Sequence, residues 1–133
     1  MEIGQKLEFL YTVEEKDLAK YVAVDSEDNF PEVLATARMV ALMEISAARL
    51  MNPLVKEDEQ SVGVEVNVKH LAPTPVNAQV KLIATFTGMD NKLYKFDVEI
   101  YDEGGLAGKG IHTRAIIKTE RLMQGIAKRT NKS

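Results

Sequence analysis

Thr36, Glu44 and His70 are the residues of this chain whose types and spacing could support chemistry. Thr36 and Glu44 lie in VLATARMVALMEISAARLM (33–51), which lacks proline and glycine and is rich in helix formers. At about 100° per residue, Glu44 falls roughly 80° from Thr36 and about two turns further along. Thr36 sits near the middle of an apolar arc formed by Met39, Val40, Met43, Ala47, Leu50 and Met51, and Glu44 at its edge. His70 closes SVGVEVNVKH (61–70), where strict alternation puts Val62, Val64, Val66, Val68 and His70 on one face. If that face looks at the helix, a hydroxyl, a carboxylate and an imidazole meet at one interface. A shielded carboxylate beside an imidazole can titrate near neutral pH and serve general acid–base catalysis. Each residue alone also has a plain structural account. A helical threonine bonds the carbonyl four residues back, a boundary glutamate reaches water, and a histidine on an apolar face is a satisfied core residue. A truly buried Glu44 without partners would cost several kcal/mol.

The elements that must position these groups follow from local pattern. Residues 5–13 read as a short strand and 14–30 as charged, irregular chain. DSEDNFP (25–31) leads into a helix over 31–51, with Asn29 as its cap and Pro31 in its first turn. Asn52-Pro53 ends it. Strands then follow over 61–71, 77–88, 92–102 and 106–118, separated by APTP, GMDNK and DEGG. Inward positions are Ala78, Val80, Leu82, Ala84 and Phe86, then Tyr94, Phe96, Val98 and Ile100, and finally Ala107, Ile111, Ala115 and Ile117. Residues 120–133 form a basic tail, either a short helix or frayed. Tight turns imply antiparallel neighbours, so the fold class is α+β: one antiparallel sheet wrapped on a single long helix, in one domain spanning 1–133.

Composition narrows the function. A net charge of −3 gives no electrostatic reason to expect nucleic-acid binding. Without cysteine, disulfides and thiolate metal sites are excluded. His70 and His112 lack acidic or cysteine partners at metal-ligand spacing, so no metal is expected. The start, MEIGQKLEFLYTV, lacks a signal peptide's basic and apolar regions, and no run approaches the length of a membrane span. A cytoplasmic location is the expectation. GGLAGKG (104–110) lacks the spacing and hydroxyl of a phosphate loop, and no nucleophile elbow occurs.

The strand, helix, four-strand order resembles the hot-dog fold. Within it, FPEVLATARMVALMEISAARLM and SVGVEVNVKHLAPTPVNAQV are similar to the fluoroacetyl-CoA thioesterase-like family. The pattern A-T-x(7)-E is met by Ala35, Thr36 and Glu44, and H-x-A-x-T-P by His70, Ala72, Thr74 and Pro75. GKGIHTRAII (108–117) matches G-x-G-x-H-x-R-x-x-I. The resemblance covers about residues 5–119. It implies acyl-CoA thioester hydrolysis with Thr36, Glu44 and His70 as the catalytic set. Coenzyme A would enter as part of the substrate, with no separate cofactor. It also implies a homodimer joined edge to edge, Gly63 in close approach near the acyl group and Phe30 at the pocket entrance. Arg114, Lys69, Lys109 and the tail are candidates to meet the CoA phosphates. Glu27 and Asp28 make the segment before Phe30 acidic for a lid over a halogenated acyl group, so the acyl preference stays open. Two other readings compete. A hot-dog hydratase or dehydratase needs an Asp/His pair on a shorter loop, which is not found. A non-catalytic acyl-CoA binder would not need Glu44 and His70 together.

Overall fold

The computed structural model describes residues 1–131. Strand β1 (Lys6–Thr12) is followed by two short 3-10 turns, helix α1 (Thr36–Met51) and strands β2 (Glu59–His70), β3 (Gln79–Asp90), β4 (Leu93–Asp102) and β5 (Gly105–Lys118). Helix α2 (Thr119–Thr130) ends the described chain. The five strands form one sheet in the order β1-β3-β4-β5-β2, antiparallel throughout. The period of two, clearest in β3 and β4, gives the sheet one apolar face, and α1 lies on it. Met39, Leu42, Met43, Ala47, Leu50 and Met51 pack against Val80, Leu82, Ala84 and Phe86 of β3 and Phe96, Val98 and Ile100 of β4. Full burial of each large apolar side chain stabilises by about 1.5–3 kcal/mol, which fixes α1 in rotation. Among the described residues no helix is long and apolar enough to cross a membrane.

Three expectations are corrected. The helix begins at Thr36, not Pro31, and its N-cap is Ala35 without any side-chain cap, so Asn29 does not cap it. The residues before it are recruited into tertiary pairing. The Leu34 N–H bonds the Thr74 carbonyl, the Ala35 N–H bonds the Asp17 carbonyl, and Leu34 forms a bridge with Leu18. Thr36 therefore occupies the first helical position and is exposed in the single subunit, not buried in the arc.

The valine row is also broken. A β-bulge between Gly63 and Glu65 sets two residues of β2 against one of β5, which shifts the phase of the strand. Directly opposite residues share a face. Gly63 pairs with buried Arg114 and Val66 with buried His112, so Gly63, Val66, Val68 and His70 take the helix side. Val62 pairs with Ala115 on the other side. Val64 and Val66 are 53% and 40% exposed, because β2 is an edge strand. A second irregularity, beside Ala107, shifts β5. Ala107 is buried, but Ile111 is 43% exposed and His112 and Arg114 turn inward in its place.

Candidate active site

The sequence-predicted residues gather at two places along α1. At its start, Thr36 Oγ1 lies 2.7 Å from His70 Nδ1. His70 reaches there because it is the last residue of β2, where the helix side of the strand meets the first turn of α1. Its Nε2 is buried and has no hydrogen-bond partner among the described residues. Both residues line an open pocket of about 420 Å³, together with Phe30, Pro31, Leu34 and Leu71. Phe30 is 45% exposed at this pocket, on the segment leading into the helix.

That segment is anchored by Asp17, which is fully buried. Its carboxylate accepts hydrogen bonds from Tyr11 Oη at 2.6 Å, the Glu14 N–H at 2.8 Å and Arg38 Nε at 2.8 Å. Burial pushes the Asp17 carboxyl up, but these donors outweigh it and hold it below the usual carboxylate range. Tyr11 is pushed up to about 12 by burial and the adjacent carboxylates. Arg38 is thus tied to the segment before the helix, and Arg49 stacks over the Phe9 ring at 4.3 Å.

Two turns further along α1, Glu44 leans on the β2–β5 pair. Its Oε1 accepts from Arg114 Nη1 at 3.1 Å. The close approach is possible because position 63 has no side chain: a Cβ there would lie 2.2 Å from Glu44 Oε1. Arg114, one of the candidates to meet the CoA phosphates, is 7% exposed and directed inward. Its Nε donates to Ser61 Oγ at 3.2 Å, its Nη2 to the Ser61 carbonyl at 3.0 Å, and its Nη1 also to His112 Nε2 at 3.1 Å. Burial lowers its pKa, opposed by the Glu44 charge. Lys69 and Lys109 stand opposite each other across β2 and β5, lining a groove on the outer face of the sheet.

The structure therefore joins Thr36 to His70 and Glu44 to Arg114 over Gly63. It does not join the two groups within one subunit, since eight helical residues rise about 12 Å. Sequence reasoning missed His112, which lies 3.8 Å from Glu44 Oε1 at its Nε2. The signal was present in GKGIHTR, where alternation puts Gly108, Gly110, His112 and Arg114 on one face.

A model of the fluoroacetyl-CoA-specific thioesterase family, FlK, matches residues 13–120. The chain belongs to that family. It is a thioester hydrolase with the hot-dog fold. A fluoroacetyl-CoA thioesterase from Streptantibioticus cattleyicolor is 29% identical over 132 residues, covering 98% of this chain and 95% of the relative. A solved structure of the fluoroacetyl-CoA thioesterase FlK superposes with a TM-score of 0.93 at 28% identity over 98% of each chain. A variant of that enzyme, in complex with fluoroacetate and CoA, superposes with a TM-score of 0.87 at 29% identity over 92% of this chain and 99% of its own. A thioesterase-superfamily protein from Thermus thermophilus, 24% identical with a TM-score of 0.84 over 96% of this chain and 94% of its own, shares the fold.

Proposed function

We propose that this thioesterase hydrolyses a small acyl-CoA, with Glu44, Thr36 and His70 acting on the thioester. The observation that carries the reading is the Thr36–His70 pair at 2.7 Å beside a pocket, with His70 Nε2 buried and unpartnered among the described residues. A buried polar atom without a partner is costly unless something else supplies one. A thioester oxygen or a departing sulfur is such a partner. Glu44 has one oxygen held by Arg114, and its side chain is 38% exposed, so the other oxygen is free to act. It takes a proton from water as the water oxygen attacks the thioester carbonyl. The tetrahedral intermediate then collapses, breaking the C–S bond, and His70 delivers a proton to the departing thiolate, giving a carboxylic acid and CoA. Thr36 orients His70. In the variant reaction, Glu44 attacks the carbonyl itself and water cleaves the resulting anhydride. Turnover in labelled water separates the two, since only the second route puts label into Glu44.

A separation of about 12 Å along α1 is too long for both groups of one subunit to contact one carbonyl carbon. We propose that a second copy closes the gap in a homodimer formed on β2. This strand supplies a twelve-residue unpaired edge with Val64 and Val66 exposed, and such an edge is a template for pairing. The related FlK complexes contain CoA, fluoroacetate or acetyl-CoA, which supports a short acyl group.

The test is thiol release across acyl-CoA chain lengths with Glu44→Gln, Thr36→Ala and His70→Ala. Each should lower kcat by roughly 10²-fold or more. Co-refolding Glu44→Gln with His70→Ala should restore about a quarter of the parental activity if each site draws on two subunits and pairing is random. A folded Glu44→Gln with parental turnover overturns the chemical reading. Absence of complementation in a proven mixed dimer overturns the shared site.

A further inference from the structure

We propose that His112 is a positioning residue of this reaction: its unprotonated Nε2 fixes the guanidinium of Arg114, which in turn holds the Glu44 carboxylate. The proposal rests on the reading that Glu44 acts on the thioester.

The geometry carries it. His112 is 1% exposed and pairs with Phe96 on one side and Val66 on the other, so its ring cannot swing away. Arginine has only donors, so the 3.1 Å contact from Arg114 Nη1 requires a lone pair on His112 Nε2. The other ring nitrogen, Nδ1, lies 2.8 Å from the Glu65 carbonyl, which can only accept. Nδ1 therefore carries the proton, and one neutral tautomer satisfies both contacts. Burial, the largest influence on this ring, also favours the neutral form. Glu65 is the residue that follows the bulge, so the irregularity that breaks the valine row also aims the carbonyl that sets this tautomer.

The consequence falls on Glu44. Arg114 Nη1 has two hydrogens. One goes to His112 Nε2 and one to Glu44 Oε1, both at 3.1 Å. Ser61 holds the other two nitrogens. With both ends of the fork fixed, only one carboxylate oxygen is engaged, and Glu44 keeps its second oxygen for the substrate. Without the acceptor at His112, the second Nη1 hydrogen has no partner and can draw in the other carboxylate oxygen of Glu44.

The experiment uses the full chain and acyl-CoA hydrolysis. His112→Asn keeps a donor where Nδ1 stood and loses the acceptor. It should lower kcat roughly tenfold, the worth of a hydrogen bond to a charged group, with KM within about twofold. His112→Gln, whose Oε1 falls where Nε2 stood, should recover most of that loss. In a Glu44→Gln background, His112→Asn should cost nothing further, because the residue acts only through Glu44. An equal loss in both backgrounds, or parental turnover by His112→Asn beside a crippled Glu44→Gln, overturns the proposal alone. Parental turnover by Glu44→Gln overturns the reading of Glu44 and this proposal with it. Nitrogen NMR on the parent protein decides independently of any variant's folding: a proton on Nδ1 only supports the assignment, and one on Nε2 overturns it.

Discussion

Replacing Gly63 with alanine should separate activity from stability. The new Cβ would stand 2.2 Å from Glu44 Oε1, 3.4 Å from Glu44 Cδ and 3.3 Å from His112 Cε1. The backbone at 63 lies outside the left-handed region, so alanine itself is not strained there. Ordinary contact starts at 3.4 Å, so the oxygen must retreat by 3.4 − 2.2 = 1.2 Å. It can do so because it ends a flexible side chain that is 38% exposed. The retreat breaks the 3.1 Å bond from Arg114 Nη1. Hydrogen bonds to charged groups are worth about 1.5–3 kcal/mol, and exposure puts this one at the low end. Reduced freedom of the unfolded chain returns about 0.4–1 kcal/mol. The net loss is about 1 kcal/mol, or roughly 3–4 °C in Tm. Turnover should suffer far more, since a displacement of about 1 Å in a reacting group can cost about 10²-fold. The assay is thiol release on the best acyl-CoA beside a thermal melt of the same sample. A Gly63→Ala protein with parental kcat would refute the reasoning, as would one that fails to fold.

Gly110→Ala makes the contrast. Its Cβ would meet the Asn67 carbonyl at 2.2 Å and Val68 Cα at 2.5 Å, both backbone of the paired strand. With nothing flexible to yield, this variant should lose about 3 kcal/mol, and a parental Tm would refute it. His112 gives a pH dependence. Burial depresses its folded pKa below the ordinary imidazole value of 6.5, so the unfolded chain takes up the proton first. Its contribution to stability is complete above about pH 6.5 and is lost as pH falls below it. Urea midpoints should drop between pH 7.5 and 5.5, and His112→Gln should flatten that drop; an unchanged slope counts against a neutral buried ring. Asp17 also has a depressed pKa, but its contribution is lost only as pH falls below the ordinary aspartate value of 3.8, outside that window. Asp17→Asn removes the charge facing Arg38 and should cost about 1–3 kcal/mol in urea unfolding; no change would mean that the buried carboxylate does not anchor the segment before α1.

Local pattern was enough for the element order, because helical and strand periods are written in neighbouring residues. Val80, Leu82, Ala84 and Phe86 face α1 as their alternation required. The Thr36–His70 contact could be expected once the helix start and the strand end were placed side by side. Helix α2 was foreseen only as one of two outcomes, since its apolar residues Leu122, Met123 and Ile126 remain exposed and no packing dictates it. The rest depends on pairing between distant strands. The bulge at Val64 and the irregularity beside Ala107 change which residues face inward, and neither is visible in a chain read one strand at a time. They turn Gly63, His112 and Arg114 toward Glu44. The residues before Thr36 stay extended because Asp17 and Thr74, remote in sequence, offer their carbonyls. A strand's alternation is a local property, but its phase is set by the partner strand, and that phase decided which polar side chains Glu44 would meet.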